Sequence, residues 1–138
     1  MFSARHLALA AAVWAGPSLA FAEDQEDRLS RLESVARIEQ GDFVIIRLDG
    51  TRPPNFTTFT LDDPFRVVVD WSGSVLGSGP KESKFEGMVR KASLQQFDSE
   101  AERISRVTIE LSAKTTYELA SDKNSVLVRL LKVATPKP

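Results

Sequence analysis

From residue 35 onward the chain alternates apolar and polar residues with a period of two. The clearest case is Arg106–Leu111, where Val107, Ile109 and Leu111 alternate with Arg106, Thr108 and Glu110. Such spacing predicts a half-buried β-strand. The same reading gives strands at Val35–Glu39, Phe43–Leu48, Asn55–Leu61, Arg66–Trp71, Met88–Phe97, Thr115–Leu119 and Ser125–Leu131. Turn chemistry separates them. Gln40-Gly41-Asp42 predicts a hairpin between the first two strands. Asp49-Gly50-Thr51-Arg52-Pro53-Pro54 is a strong breaker, and Asp62-Asp63-Pro64 and Ser121-Asp122-Lys123-Asn124 are turns. Ser72–Gly87 holds four of the seven glycines and reads as an irregular crossing. No segment predicts a long helix. About seven or eight strands at this spacing predict an all-β sandwich.

The strands also repeat. Phe43–Leu48, Asn55–Leu61 and Arg66–Trp71 have counterparts in Arg106–Leu111, Thr115–Leu119 and Ser125–Leu131. This internal pseudo-repeat suggests two small, similar sheets, antiparallel or mixed, packed face to face. Val67, Val69 and Trp71 share a parity and are the expected core face of their strand. Such a domain offers faces and edges rather than a reaction pocket, so its function is sought in binding.

The ends of the chain lie outside this pattern. Residues 1–22 read as an export signal: Arg5, an apolar run from Leu7 to Ala15, a Gly16-Pro17 break, and the small-x-small site Ala20-Phe21-Ala22. Cleavage is expected after Ala22, because the run is too short to span roughly 30 Å of hydrocarbon; stable membrane insertion after processing is not expected. Residues 23–34 form a charged lead, read as flexible or as a helical turn or two, with Leu29, Leu32 and Val35 at helical spacing. The domain is expected over residues 35–132, followed by a polar tail, residues 133–138.

Composition narrows the chemistry. The chain has no cysteine, and its single histidine, His6, falls in the expected leader. Ser-His-Asp and Cys-His catalysis, and nearly all zinc, copper and haem sites, need residues that the processed chain lacks. No cofactor or metal is expected, and the chain is read as non-enzymatic. The formal charge of −1 becomes about −2 once Arg5 is removed, which argues against nucleic acid as a partner.

The string Phe59-Thr-Leu-Asp-Asp-Pro-Phe-Arg-Val-Val-Val-Asp-Trp-Ser-Gly73 resembles the signature of the AMIN domain. Ala92–Phe97, ending in Gln-Phe, looks like the family's central strand. Arg106–Leu111 and Asn124–Leu131 look like its two later strands. The sequence departs from the family where Trp71 follows Asp70 and where Ser93 and Gln95 replace a more usual Arg and Gly. The resemblance implies a periplasmic β-sandwich that binds peptidoglycan and locates its carrier in the envelope. The family's domain is commonly joined to an N-acetylmuramoyl-alanine amidase or a type IV pilus secretin; this chain reads as a stand-alone copy. A second reading is a protein-interaction module for a secretin, pilus or motility complex, working by strand addition.

Five residues are candidates for ligand contact. Asp70 offers an acceptor to a sugar hydroxyl, or serves as a cross-strand ion-pair partner. Arg66 shares its face, about 13 Å away along the strand. Arg90 and Lys91 are suited to stem-peptide carboxylates, or else form a solvated strand face. Gln96 is suited to a glycan N-acetyl group, or else faces water. Trp71 is expected in the core, while Phe56 and Phe59 point to opposite faces, so one of them is a candidate exposed aromatic. Arg106 and Arg129 are read as solvated.

Overall fold

The computed structural model describes residues 28–133. It contains eleven strands: β1 Ser30–Leu32, β2 Ser34–Gln40, β3 Phe43–Asp49, β4 Asn55–Leu61, β5 Arg66–Ser72, β6 Ser74–Leu76, β7 Glu82–Lys84, β8 Val89–Asp98, β9 Arg103–Leu111, β10 Tyr117–Asp122 and β11 Ser125–Leu131. Every strand read from alternation is present, so the all-β sandwich expectation holds. A four-stranded sheet runs β10-β11-β3-β2 and a five-stranded sheet runs β4-β5-β9-β8-β7, both antiparallel; β1 and β6 form a small parallel pair.

Alternation becomes burial on both inner faces. Val44, Ile46 and Leu48 with Val126, Val128 and Leu130 line one, and Val67, Val69 and Trp71 with Val107, Ile109 and Leu111 line the other; all are buried. Sheets pack about 10 Å apart, which two layers of such side chains fill. Trp71 is fully buried, as its parity predicts, and its Nε1 has no hydrogen-bond partner. It is there for its ring. Gly50 seats that ring: a Cβ on Gly50 would lie 2.8 Å from Trp71 Cζ2 and 2.7 Å from Ser30 Oγ. The β2–β3 turn is Gly41-Asp42, with Gly41 at φ +59°, a conformation costly for other residues.

The pseudo-repeat is real in strand order but different in space. Each copy is divided between the sheets, and neither forms a sheet of its own. β3 lies in the four-stranded sheet and passes to the β4–β5 hairpin in the five-stranded one. β9 lies in the five-stranded sheet and passes to the β10–β11 hairpin in the four-stranded one. The copies then interlock, β3 pairing with β11 and β5 with β9. The connections explain this. The prolines after β3 end the ladder and carry the chain across the sandwich, whereas Lys123-Asn124 leaves room only for a hairpin.

Two expectations are corrected. The described part of the charged lead, residues 28–34, joins the fold: Ser30–Leu32 is a strand, and Leu32 is buried in the core. Its helical spacing with Leu29 and Val35 misleads because three residues are too few to show a period of two. The irregular crossing contains β6 and β7, each also three residues long. β1 is fixed by its register with β6, Leu32 opposite Leu76, and by the Ser30 N–H donating to the Gly73 carbonyl at 2.9 Å.

Candidate functional site: the outer face of the five-stranded sheet

Directly paired residues in an antiparallel sheet share a face, so register maps the outward surface. One row runs Leu61, Arg66, Glu110, Lys91, Lys84; the next runs Phe59, Val68, Thr108, Ser93, Glu82. A third runs Thr57, Asp70, Arg106, Gln95, and a fourth Asn55, Ser72, Ile104, Phe97. β5 and β9 therefore turn mainly apolar residues inward and Arg66, Asp70, Arg106 and Glu110 outward, with the aromatics Phe59 and Phe97 on the flanking strands β4 and β8.

Arg106 is at the centre. Its Nε and Nη2 donate to Asp70 Oδ1 and Oδ2 at 2.7 and 2.9 Å, a bidentate pair across β5 and β9. The Asp70 side chain keeps 16% of its surface exposed and that of Arg106 34%. The Asp70 hydrogen bonds hold the Arg106 guanidinium even more firmly protonated than usual, outweighing its partial burial. Its Cζ lies 5.3 Å from the ring centre of Phe59 and 4.9 Å from that of Phe97. Those rings come from β4 and β8, on either side of β5 and β9, and are 38% and 44% exposed. The result is a fixed cation with an exposed aromatic on each flank.

Three of the five candidates fall on this face: Arg66, Asp70 and Lys91. Asp70 has a cross-strand partner, as one reading expected, and the partner is Arg106. Arg66 is turned to the adjacent turn, donating to the carbonyls of Pro64 at 3.1 Å and Asp62 at 3.2 Å. Arg90 is separated from Lys91 by a bulge between Val89 and Lys91 in the β8–β9 pairing. It lines a groove of about 550 Å³ at one end of the sandwich, with Asp62, Asp63 and Lys114. The two adjacent cations therefore do not act as one patch.

Gln96 neither meets solvent freely nor shares the outer face. Its Oε1 accepts from the Leu76 N–H at 2.9 Å and from Ser105 Oγ at 3.3 Å. Its Nε2 lies within donating distance of the carbonyls of Ser74 and Ile104, at 3.0 and 3.2 Å, and of Asp98 Oδ1 at 2.9 Å. The amide is a tie between β6, β8 and β9. Trp71 is core, and Tyr117 and Phe56 are partly buried against it. Phe59 is the outward member of its pair.

Arg106 and Phe97 are the residues that sequence reasoning missed. Arg106 was expected to be solvated; it is half-buried, paired and stacked, because β5 places Asp70 directly opposite it. Arg129, also expected to be solvated, is exposed but lies 3.7 Å over the ring of Phe43 on the other sheet. A polar groove of about 780 Å³ opens at another place on the sandwich, lined by Arg28, Arg52, Arg103, Glu100 and Glu102 among others. Arg103 is paired there with Asp98 at 3.2 Å. Among the described residues no group of three or more His, Cys, Asp or Glu side chains could hold a metal, and no helix is long and apolar enough to cross a membrane.

The family model for the AMIN domain matches residues 34–130, from the start of β2 into β11. A search of curated proteins finds no match.

Proposed function

The chain belongs to the AMIN domain family, and we propose that it binds peptidoglycan through the outer face of its five-stranded sheet. The family comprises non-catalytic, periplasmic modules associated with peptidoglycan binding and envelope targeting. One observation supports this face above others: Phe59 and Phe97 stay exposed while the cation between them is fixed by Asp70. An exposed ring offers its flat surface to the C–H face of a sugar. Asp70 keeps Arg106 in place without consuming all five of its N–H donors, and the guanidinium can share them with hydroxyl or N-acetyl oxygens. Arg66 and Lys91, one row or more away, suit the carboxylates of stem peptides. The processed protein would act in the periplasm as a targeting or scaffolding module, after an export signal is removed behind Ala22.

Purified sacculi provide the test. The protein should sediment with them. The double substitution Phe59→Ala, Phe97→Ala should weaken co-sedimentation by at least about tenfold, the scale of losing two aromatic contacts. Ile38→Ser with Leu131→Ser, on the opposite outer face, should leave it unchanged. Absence of co-sedimentation at low salt, or equal binding by the Phe59/Phe97 variant, would remove the reading.

A further inference from the structure

The two sheets have four edge strands, β2 and β10 in one and β4 and β7 in the other. Proteins commonly protect such edges with charge, proline, bulges or shortness. Three edges here follow that rule. β2 carries Arg37 and Glu39, β10 carries Glu118 and Asp122, and β7 is three residues long with Glu82 and Lys84. β4 does not. Asn55-Phe-Thr-Thr-Phe-Thr-Leu61 has no charge, no proline and no glycine, and pairs with β5 over seven residues without a bulge. Phe59 and Leu61 are exposed along it. Among the described residues, β4 makes no backbone hydrogen bond to any strand but β5. Its other edge is an open ladder.

We propose that β4 pairs antiparallel with β4 of a second copy of this chain, joining two five-stranded sheets across a twofold axis at Thr58. The sequence of the strand selects this occupant. In the register centred on Thr58, Phe56 faces Thr60 of the second copy, Thr57 faces Phe59, and Asn55 faces Leu61. The two members of each pair share a face, Thr57–Phe59 and Asn55–Leu61 outward and Phe56–Thr60 inward, and aromatic–threonine neighbours pack well in a ladder. The flanks complement each other. Arg52 precedes the strand and Asp62-Asp63 follows it, so antiparallel pairing sets the basic end of one copy beside the acidic end of the other. The remaining long edges fail this test. Centred self-pairing of β2 sets Arg37 opposite Arg37, and of the two near-central twofold registers open to the six-residue β10 the one about Ala120 sets Glu118 opposite Asp122. Like charges directly opposite each other destabilise a ladder.

The interface is isologous and closes on itself, leaving no open end to grow into a fibre. It is one strand wide, so association is weak and depends on concentration. Its consequence is geometric. The outer faces of both sheets become one surface, with the Phe59–Arg106–Phe97 cluster present twice. Two weak sites on one rigid body bind a repeating polymer more tightly than either alone. Pairing itself rests on β4 and does not depend on what that surface binds.

Sedimentation equilibrium of the purified chain, as processed by the cells that make it, tests this. The weight-average mass should rise from monomer toward dimer between micromolar and millimolar concentration. Thr58→Lys and Thr58→Glu should each weaken self-association by at least about tenfold, since like charges meet on the axis. An equimolar mixture of the two should restore it. Circular dichroism and thermal melting check that each variant keeps its fold. Because the chain has no cysteine, Thr58→Cys adds a second readout: mild oxidation should give a disulfide-linked dimer, whereas Ala120→Cys on β10 should not. A wild type that stays monomeric, charge variants that dimerise like wild type, or equal crosslinking at both positions would overturn the proposal.

Discussion

On the outside of the five-stranded sheet, Arg106 is gripped by two hydrogen bonds to Asp70 and lies between Phe59 and Phe97. On the outside of the four-stranded sheet, Arg129 lies over Phe43, and among the described residues no carboxylate pairs with it. The neighbouring outward residues also differ. Ile38, Ile45, Leu127 and Leu131 give the second face an aliphatic patch around Arg129. A cation fixed by a bidentate partner leaves little side-chain entropy to be lost when a ligand arrives. Arg129 instead covers an apolar surface with its long stem. Identical residue types, an arginine and a phenylalanine, are thus held differently on the two faces: Asp70 grips Arg106, whereas Glu118, directly opposite Arg129, makes no ion pair with it.

Removing that carboxylate should have the largest effect. Asp70→Ala leaves Arg106 half-buried without its ion-pair partner. Both side chains retain some solvent, so the expected loss of stability is about 1–2 kcal/mol. For a domain of this size it appears as a fall in melting temperature of roughly 4–15 °C. Asp70→Asn, which keeps the shape and two acceptor lone pairs, should lose less. Chemical denaturation of both variants measures the difference. Equal stability of Asp70→Ala and wild type would make the two arginines equivalent and end the contrast.

The contrast was only half legible in the sequence. Alternation is a local property, and it placed Val67, Val69 and Trp71 inward and Phe56 and Phe59 on opposite faces. Register is not local. The Asp70–Arg106 pair spans 36 residues, and nothing near either residue identifies the other, so Arg106 read as solvated although a cross-strand partner for Asp70 was expected. Irregularities were equally hidden. The bulge that parts Arg90 from Lys91 has no signature in Val89-Arg90-Lys91-Ala92. Gln96 read as a ligand contact because its real partners lie in β6, a strand too short to show a pattern. For the same reason Leu32 was assigned to the lead. The repeat was visible, but its division between sheets follows from which connection crosses the sandwich, and loop composition does not state a destination.

A smaller effect is expected at the shielding arginine. Arg129→Ala removes a stem and a cation–aromatic contact at an exposed position, so stability should change by no more than about 0.5–1 kcal/mol. Binding to sacculi should not change. The exposure of the aliphatic face should, and the variant is expected to bind more of a hydrophobic dye and to be less soluble. Arg106→Ala should give the opposite profile: reduced binding to sacculi with little change in dye uptake. If both substitutions reduce sacculus binding equally, the two faces act together and recognition is not confined to one of them.

The smallest effect separates the carboxylates bordering the two faces. On the four-stranded sheet, burial pushes the Asp49 carboxyl up, but hydrogen bonds from Arg47, Ser125 and Ser34 together hold it below the usual aspartate range. At the end of β8, hydrogen bonds from Arg103 and Gln96 hold Asp98 low. A carboxyl depressed in the folded state contributes stability above its unfolded pKa of about 3.9, and that contribution fades as pH falls through the folded value. Asp49 is 35% exposed, so its share, discounted for solvent, is well under about 1 kcal/mol. Acid unfolding should steepen below about pH 4, and Asp49→Asn should flatten that slope. Carboxyl chemical shifts followed by NMR should show both aspartates titrating below the usual range, with Asp49, held by three hydrogen-bonding side chains, less sensitive to salt than the more exposed Asp98, which moves toward the ordinary value as salt rises. An Asp49 midpoint that shifts with salt as far as that of Asp98 would show that the four-stranded face holds its charges no more firmly than open solvent does, leaving Asp70–Arg106 as the anchored pair on which the contrast rests.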